Sequence, residues 1–240
     1  PETDTFIKRF VGSRDLINNE VRYCLWLKGI SPAKYRHIQP IAERLEQCAA
    51  SRSKSPTASV RKDAATPMLF TQIRQPESNY LAVPEVSSQN RKYIPISFLS
   101  PDIIGSNKLY MVSNATPYMF GVMISNVHMA WMRAVCGRLE TRYRYSKDIV
   151  YNNFPWCNPT AEQKKKIEET AQAILDARAL YPSCSLADLY DDVAMPPELR
   201  KAHQANDKAV MQAYGFWGKL NTESACVAEL MKMYQKLTNK

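Results

Sequence analysis

Ser87, Ser88, Gln89 and Asn90 stand directly before Arg91 and Lys92. Their side chains offer short hydroxyls and carboxamides, groups that both donate and accept hydrogen bonds. Carboxamides match the edge of adenine, hydroxyls bond to bases or phosphates, and Arg and Lys reach phosphates, Arg also pairing bidentately with guanine. In this order the six residues suit the reading of a nucleic-acid edge beside a polyanion. A polar loop with two cations serves equally as a solvated turn, and the six residues alone do not separate the two readings.

Other chemistry is missing. The chain has seven glycines and none form a GxGxxG or GxxxxGK[ST] turn, so it presents no phosphate cradle or cofactor loop. HExxH and GxSxG are absent, and His37, His128 and His203 are isolated. Asn153-Phe154-Pro155-Trp156 superficially resembles the Asn/Asp-Pro-Pro-aromatic motif of amino-methyltransferases, but Phe replaces the first Pro and no cofactor turn precedes it. A hydrophobic corner after a helix is the better reading. The six cysteines lie far apart, with no CxxC pair, and are expected to be reduced thiols rather than zinc ligands.

Charge divides the chain. Residues 1–158 carry 21 Lys+Arg against 12 Asp+Glu, whereas residues 159–240 carry 11 of each, so the whole formal excess of +9 belongs to the first part. A basic first domain facing a polyanion and a neutral second domain facing protein are expected, with the boundary at Asn158. No run of 18 apolar residues exists and residues 1–30 do not read as a signal peptide, which leads to the expectation of a cytoplasmic protein with no membrane partner. The chain opens on Pro1 and is expected to be part of a longer one.

The positioning elements follow from periodicity and punctuation. Strands are expected at Phe6–Gly12 and, buried, at Val21–Leu27. A helix is expected after Ser31-Pro32, with Ile38, Ile41, Ala42 and Leu45 on one face. Residues 49–66 are small, polar and basic, consistent with a solvated or partly helical linker or with a segment lying along phosphates. Short strands are expected at Leu69–Arg74, Tyr80–Val83, Lys92–Phe98 and Lys108–Val112. Helices are expected from Thr116-Pro117 and over Val127–Leu139, where Trp131 falls on an apolar stripe. Trp131 and Trp156 are read as core residues. Beyond residue 158 only helices are expected: one capped by Thr160 and Gln163, one from Pro196-Pro197 to about Ala213, and one from Asn221-Thr222-Glu223.

An ordered series of motifs is more specific than composition. It runs through Arg74-Gln75-Pro76, Val86-Ser87-Ser88-Gln89-Asn90-Arg91-Lys92-Tyr93-Ile94-Pro95, Ser113-Asn114-Ala115-Thr116 and the stretch from His128 to Leu139. It continues through Tyr143 to Trp156, Ala173 to Arg178 and Met195 to His203. Over essentially the whole chain this resembles the C-terminal half of the MmeI-like, type IIL class of bacterial DNA adenine methyltransferases. The resemblance implies an α+β fold: a mixed α/β target recognition domain with a small sheet (1–158), then an all-α C-terminal domain (159–240). It also implies a whole protein, belonging to a restriction–modification system, that moves a methyl group from S-adenosylmethionine to the N6 amine of adenine. The cofactor and catalytic motif would lie upstream, so this segment should hold no cofactor or metal and should be inactive alone. The implied partners are double-stranded DNA and the upstream methyltransferase domain.

Within that resemblance, base contacts are expected from Ser87, Ser88, Gln89 and Asn90 and from the turn at Ile124 and Asn126. Phosphate contacts are expected from Arg74, Arg91, Lys92, Arg142, Arg144 and Lys147. From the residues themselves two rivals remain: a non-catalytic protein-interaction module of a larger nucleic-acid enzyme and, ranked lower for want of stacking aromatics on a strand, an RNA-binding domain.

Overall fold

A computed structural model describes residues 5–238. In chain order the elements are β1 (Ile7–Val11), α1 (Ser13–Asn18), β2 (Tyr23–Leu25), α2 (Gln39–Ser53), α3 (Ala58–Lys62), β3 (Tyr80–Pro84), β4 (Val86–Ser87), β5 (Ser97–Leu99), β6 (Ile104–Gly105) and β7 (Leu109–Ser113). They continue with α4 (Pro117–Met123), α5 (Asn126–Val135), β8 (Gly137–Leu139), β9 (Arg142–Arg144), α6 (Ala161–Ala179), α7 (Leu186–Leu189), α8 (Pro197–Ala213) and α9 (Glu223–Thr238). Small sheets followed by helices make this an α+β fold, as expected. Packing groups the chain into two compact units, one of residues 1–10 and 22–75 and one of residues 11–21 and 76–240.

In the first unit β1 and β2 pair antiparallel, with Ile7 opposite Leu25 and Arg9 opposite Tyr23. The β2 stretch is less buried than its residue types suggest: Val21 and Tyr23 are more than half exposed. A small core gathers Phe6, Leu27, Tyr35 and Ile41, with Ile38 and Leu45 beside it. The helix signalled at Ser31-Pro32 begins later. Pro32–Lys34 forms one 3-10 turn and α2 starts at Gln39. Pro40 explains the delay, because inside a helix begun at residue 32 it would break an i→i−4 hydrogen bond, whereas in the first turn of α2 it costs nothing.

Residues 49–66 are largely helical, and two of their cations are used internally. Arg52 donates to the carbonyls of Asp63, Thr66 and Leu69 at 3.0, 3.0 and 2.7 Å. Arg61 donates to the carbonyls of Ser55 and Pro56, each at 2.8 Å. These bonds tie α2 and α3 to the turns beside them. Leu69–Arg74 is irregular rather than a strand.

In the second unit β3 is the central strand of an antiparallel sheet ordered β5-β3-β7. Its two faces divide by the period of two. Leu81 and Val83 enter a large core, while Tyr80 and Ala82 pack with Val11, Leu109 and Leu16 of α1 on the other side. Expected strand Lys92–Phe98 shrinks to Ser97–Leu99. The Ile94 amide donates to the Met129 sulfur at 3.4 Å, Pro95 has no amide, and the Ile96 carbonyl accepts from Arg178 at 2.8 Å. Side chains satisfy these backbone groups, so no ladder forms there.

Helix α5 ends at Val135, four residues before the expected limit, and Gly137–Leu139 turns back to pair with β9. Gly137 favours that exit from helix. Trp131 lies in the core and donates from Nε1 to the Val150 carbonyl at 3.0 Å. Trp156, half-buried, packs on Phe154 at a centroid distance of 5.4 Å. The large core runs on without a break into α6, α7, α8 and α9, through Ile167, Ile174, Leu189, Leu199, Val210 and Leu230. Thr160 and Gln163 form the expected capping box of α6, and α8 spans the expected residues.

Candidate nucleic-acid interface

Strand β4 carries the first of the expected reading residues. Val86 pairs with Arg144 and Ser87 with Tyr143, so the loop that follows Ser87 emerges beside the β8–β9 hairpin. Residues more than fifty positions apart thereby share one edge. The hairpin is exposed at every residue from Gly137 to Arg142, and Tyr143 is its anchor in the core. Glu140 takes φ 57° at the turn, a conformation that non-glycine residues seldom adopt. Arg138 covers the Tyr143 ring at 4.1 Å, and Arg142 pairs with Glu140 at 2.8 Å.

The expected reading residues differ in access. Ser87 is only 2% exposed and its Oγ has no hydrogen-bond partner among the described residues. Ile124 is fully buried between α4 and α5. Neither side chain faces solvent, although both were expected to touch bases. Their positions are fixed by pairing and packing that the loop-like sequence does not reveal. Ser88 is half-buried and its hydroxyl accepts from the Asn90 amide at 3.2 Å, which shapes the turn. Gln89 and Asn90 are exposed. Asn126 is half-buried. Its backbone amide donates to Asp207 at 2.8 Å and its Nδ2 donates to the Met211 sulfur at 3.2 Å.

The expected phosphate residues also divide. Lys92 is exposed, with its ammonium 5.3 Å from the Tyr93 ring centroid. Arg91 is half-buried, and desolvation lowers its pKa while the nearby Asp191 charge opposes that shift. Arg144 and Lys108 flank the buried Glu85 carboxylate at 3.1 Å each. Lys147 pairs with its neighbour Asp148 at 2.5 Å. Arg144 and Lys147 nonetheless remain about half exposed, and the exposed Lys147–Asp148 pair is worth about 0–1 kcal/mol, weak enough to exchange partners. Arg74 is exposed and belongs to the other compact unit.

Lys92, Asn126 and Arg133 line an open cavity of about 510 Å³ together with Trp217, Asn221 and Glu223. Arg133 grips Glu223 with two hydrogen bonds of 2.8 Å and donates to the Lys92 carbonyl at 3.0 Å. Deeper, the Tyr93 hydroxyl donates to Asp207 at 2.7 Å, and the Tyr93 ring stacks on His203 at 4.1 Å. Arg178 donates to the Tyr190 hydroxyl at 2.9 and 2.5 Å. The Tyr190 proton is therefore free to reach His203 Nε2 at 2.8 Å, which makes His203 a neutral acceptor. Burial agrees, lowering the pKa of His203 well below its ordinary value and raising that of Asp207 to about 6.

Asp207, Arg133 and Glu223 were not among the expected site residues. A signal for the first was present: the buried stripe of α8 (Leu199, Ala202, His203, Asn206, Asp207, Val210) holds three polar residues where apolar ones are normal. Nothing comparable marks the Arg133–Glu223 pair, which joins positions 90 residues apart.

The Asn153 corner carries no catalytic geometry. Asn153 Nδ2 donates to the Asp148 carbonyl at 2.9 Å, while Phe154 and Pro155 are buried. Among the described residues no group of His, Cys, Asp and Glu is arranged to hold a metal ion. Burial raises the thiol pKa of Cys24 and Cys226 to about 11, so neither is a reactive thiolate. No described helix is long and apolar enough to cross a membrane.

Comparison with known proteins covers the whole chain. The family model for the MmeI target recognition domain matches residues 1–158, and that for the MmeI C-terminal domain matches residues 159–240. DNA methyltransferase A of Bacillus subtilis (strain 168) is 38% identical over 243 residues, an overlap covering 100% of this chain and 27% of that protein. The solved structure of the Type IIL restriction-modification enzyme MmeI in complex with DNA superposes with a TM-score of 0.96 at 48% identity, over 100% of this chain and 32% of that one. The chain thus spans about a quarter to a third of the relatives it matches. By both family models and by its fold, it belongs to the MmeI family, of which it comprises the target recognition and C-terminal domains.

Proposed function

We propose that this chain is the DNA-reading region of a bacterial, S-adenosylmethionine-dependent adenine-N6 methyltransferase of the restriction–modification type. The observation that carries the reading is the exposed β8–β9 ribbon, bearing Arg138, Arg142 and Arg144 beside the Gln89–Asn90 turn. A two-stranded ribbon fits the major groove of B-DNA, about 12 Å wide, where amides and guanidiniums find base-specific partners. Gln89 and Asn90 contact base edges. Ser88 shapes their turn, and the buried Ser87 and Ile124 support the reading surface from below. Arg91, Lys92, Arg144 and Lys147 supply phosphate contacts from this unit, and Arg74 supplies one from the other.

The residues present do not fit a methyl-donor site. No glycine-rich strand-to-helix turn occurs, and the cavity beside Lys92 is bordered by the Arg133–Glu223 ion pair. The cofactor and the target adenine therefore belong to the remainder of the whole protein, which acts on DNA in the bacterial cytoplasm.

Selection from a pool of random-sequence duplexes tests the reading. The whole protein is expected to enrich one motif. Its affinity for duplex should fall with salt at a log–log slope of about −0.9 per phosphate neutralised. Absence of duplex binding at low salt would replace this reading with a protein-interaction module. This segment alone should transfer no tritiated methyl group from S-adenosylmethionine to plasmid DNA.

A further inference from the structure

Two struts run from the helices beyond residue 158 to the surface described above. Asp207 on α8 accepts from the Tyr93 hydroxyl with one carboxylate oxygen and from the Asn126 amide with the other, at 2.7 and 2.8 Å. Tyr93 follows Lys92 at the end of the Gln89–Asn90 loop, and Asn126 opens α5. One carboxylate thus spans two segments that are 33 positions apart in sequence. Glu223 at the start of α9 makes the second strut, holding Arg133 so that its Nη1 reaches the Lys92 carbonyl. Both struts end on the same stretch, residues 92–93, and on the same helix, α5.

Burial makes the Asp207 strut rigid. Asp207 is 7% exposed, and Tyr93 is held on its other side by the His203 stack. A buried carboxylate with fixed donors has few alternative arrangements, because each lost hydrogen bond leaves an unsatisfied group. Surface residues that carry the electrostatic attraction to duplex do not depend on this geometry to the same degree, since a phosphate contact tolerates shifts that a base-edge hydrogen bond does not.

We propose that Asp207 is a positioning residue for sequence discrimination: from helix α8 it sets the spacing between the Gln89–Lys92 loop and the start of α5, and so decides how selectively the protein reads duplex while leaving its general adhesion to DNA intact. The proposal rests on the DNA-reading function given above. It assigns to the C-terminal helices a direct part in specificity rather than packing alone.

The test uses the whole protein, a random-sequence duplex pool and three variants, each checked for cooperative thermal melting. Asp207→Ala is expected to retain total pool binding at low salt and to lose motif enrichment by about tenfold. Asp207→Asn, whose amide can donate to the Tyr93 oxygen and accept from the Asn126 amide, is expected to restore most of that enrichment. Should Asp207→Ala fail to fold, Tyr93→Phe, which keeps the ring stack and removes only the hydroxyl, is expected to lower enrichment by about threefold at unchanged pool binding. Folded variants that enrich the motif as well as the wild type overturn the proposal and leave the DNA-reading function standing. Equal losses of enrichment and of total binding also overturn it, since a merely structural role would produce them. A wild-type protein that binds duplex but enriches no motif overturns both the proposal and the reading beneath it.

Discussion

Asn206 of α8 donates from Nδ2 to the carbonyl of Gly121 in α4 at 2.8 Å, while its Oδ1 accepts from the Thr170 hydroxyl of α6 at 3.1 Å. Three helices meet at this carboxamide, and Gly121 is what lets them approach. A Cβ at Gly121 would lie 2.7 Å from Ile167 Cγ2 and 3.0 Å from Asn206 Oδ1. Gly121→Ala should improve helix propensity by about 1 kcal/mol but overpack the junction by about 1–3 kcal/mol. A net loss, read as a lower urea midpoint at unchanged m, is the expected outcome. A stabilised variant would show that α4 and α6 pack less closely than the structure has them.

Arg178 should be intolerant of its nearest chemical relative. It is buried, forks onto the Tyr190 hydroxyl and reaches the Ile96 carbonyl at 2.8 Å. Lysine has the charge but lacks the planar fork. Arg178→Lys is expected to cost about 2–4 kcal/mol by chemical denaturation, because a buried charge loses partners.

The pH dependence of stability should contain contributions of both signs. Asp207 titrates near 6 in the folded chain, above its ordinary 3.8, because burial disfavours the carboxylate. The folded state therefore holds a proton that the unfolded state releases, and this group's contribution improves as pH falls from about 6 toward 4. His128 has the reverse sign. Complete burial lowers its pKa from 6.5 to about 3, so stability it contributes above pH 6.5 is lost as pH falls toward 3. Asp207→Asn should remove the first contribution and leave acid destabilisation steeper between pH 6 and 4. Denaturation across that range reads the difference, and the His128 ring resonances should not titrate down to pH 5.

Cations of similar appearance should behave differently toward duplex. Lys92 is exposed and forms no ion pair among the described residues, whereas Arg52 is spent on three backbone carbonyls. Lys92→Ala should weaken pool binding and reduce the salt slope by about one unit. Arg52→Ala should instead loosen residues 54–69 to limited proteolysis, with little change in slope at temperatures where the first unit stays folded.

Much of the fold can be read in the residues. Thr160 and Gln163 cap α6 and Pro197 opens α8 through interactions confined to a single turn, and Trp131 sits on a stripe whose period matches its helix. Pro40, read against the i→i−4 rule, would also have placed the start of α2. Less visible were the outcomes that depend on distant partners. Lys92–Phe98 looks like a strand, yet Met129 and Arg178 take up its backbone groups. Ser87 and Ile124 look like loop residues, yet pairing with Tyr143 and packing between two helices bury them.

The sequence by itself determined what is local or additive: the excess of positive charge before residue 158, the helices after it, and an ordered set of motifs sufficient to indicate the family. Tertiary structure alone decided which chemistry is presented. It set Gln89 and Asn90 beside an arginine-bearing ribbon some fifty residues away, withdrew Ser87, and hung both Tyr93 and Asn126 on the single carboxylate of Asp207. The physical reason is that a side chain's availability depends on what covers it and what bonds it. In this chain those neighbours come from segments that no local pattern links.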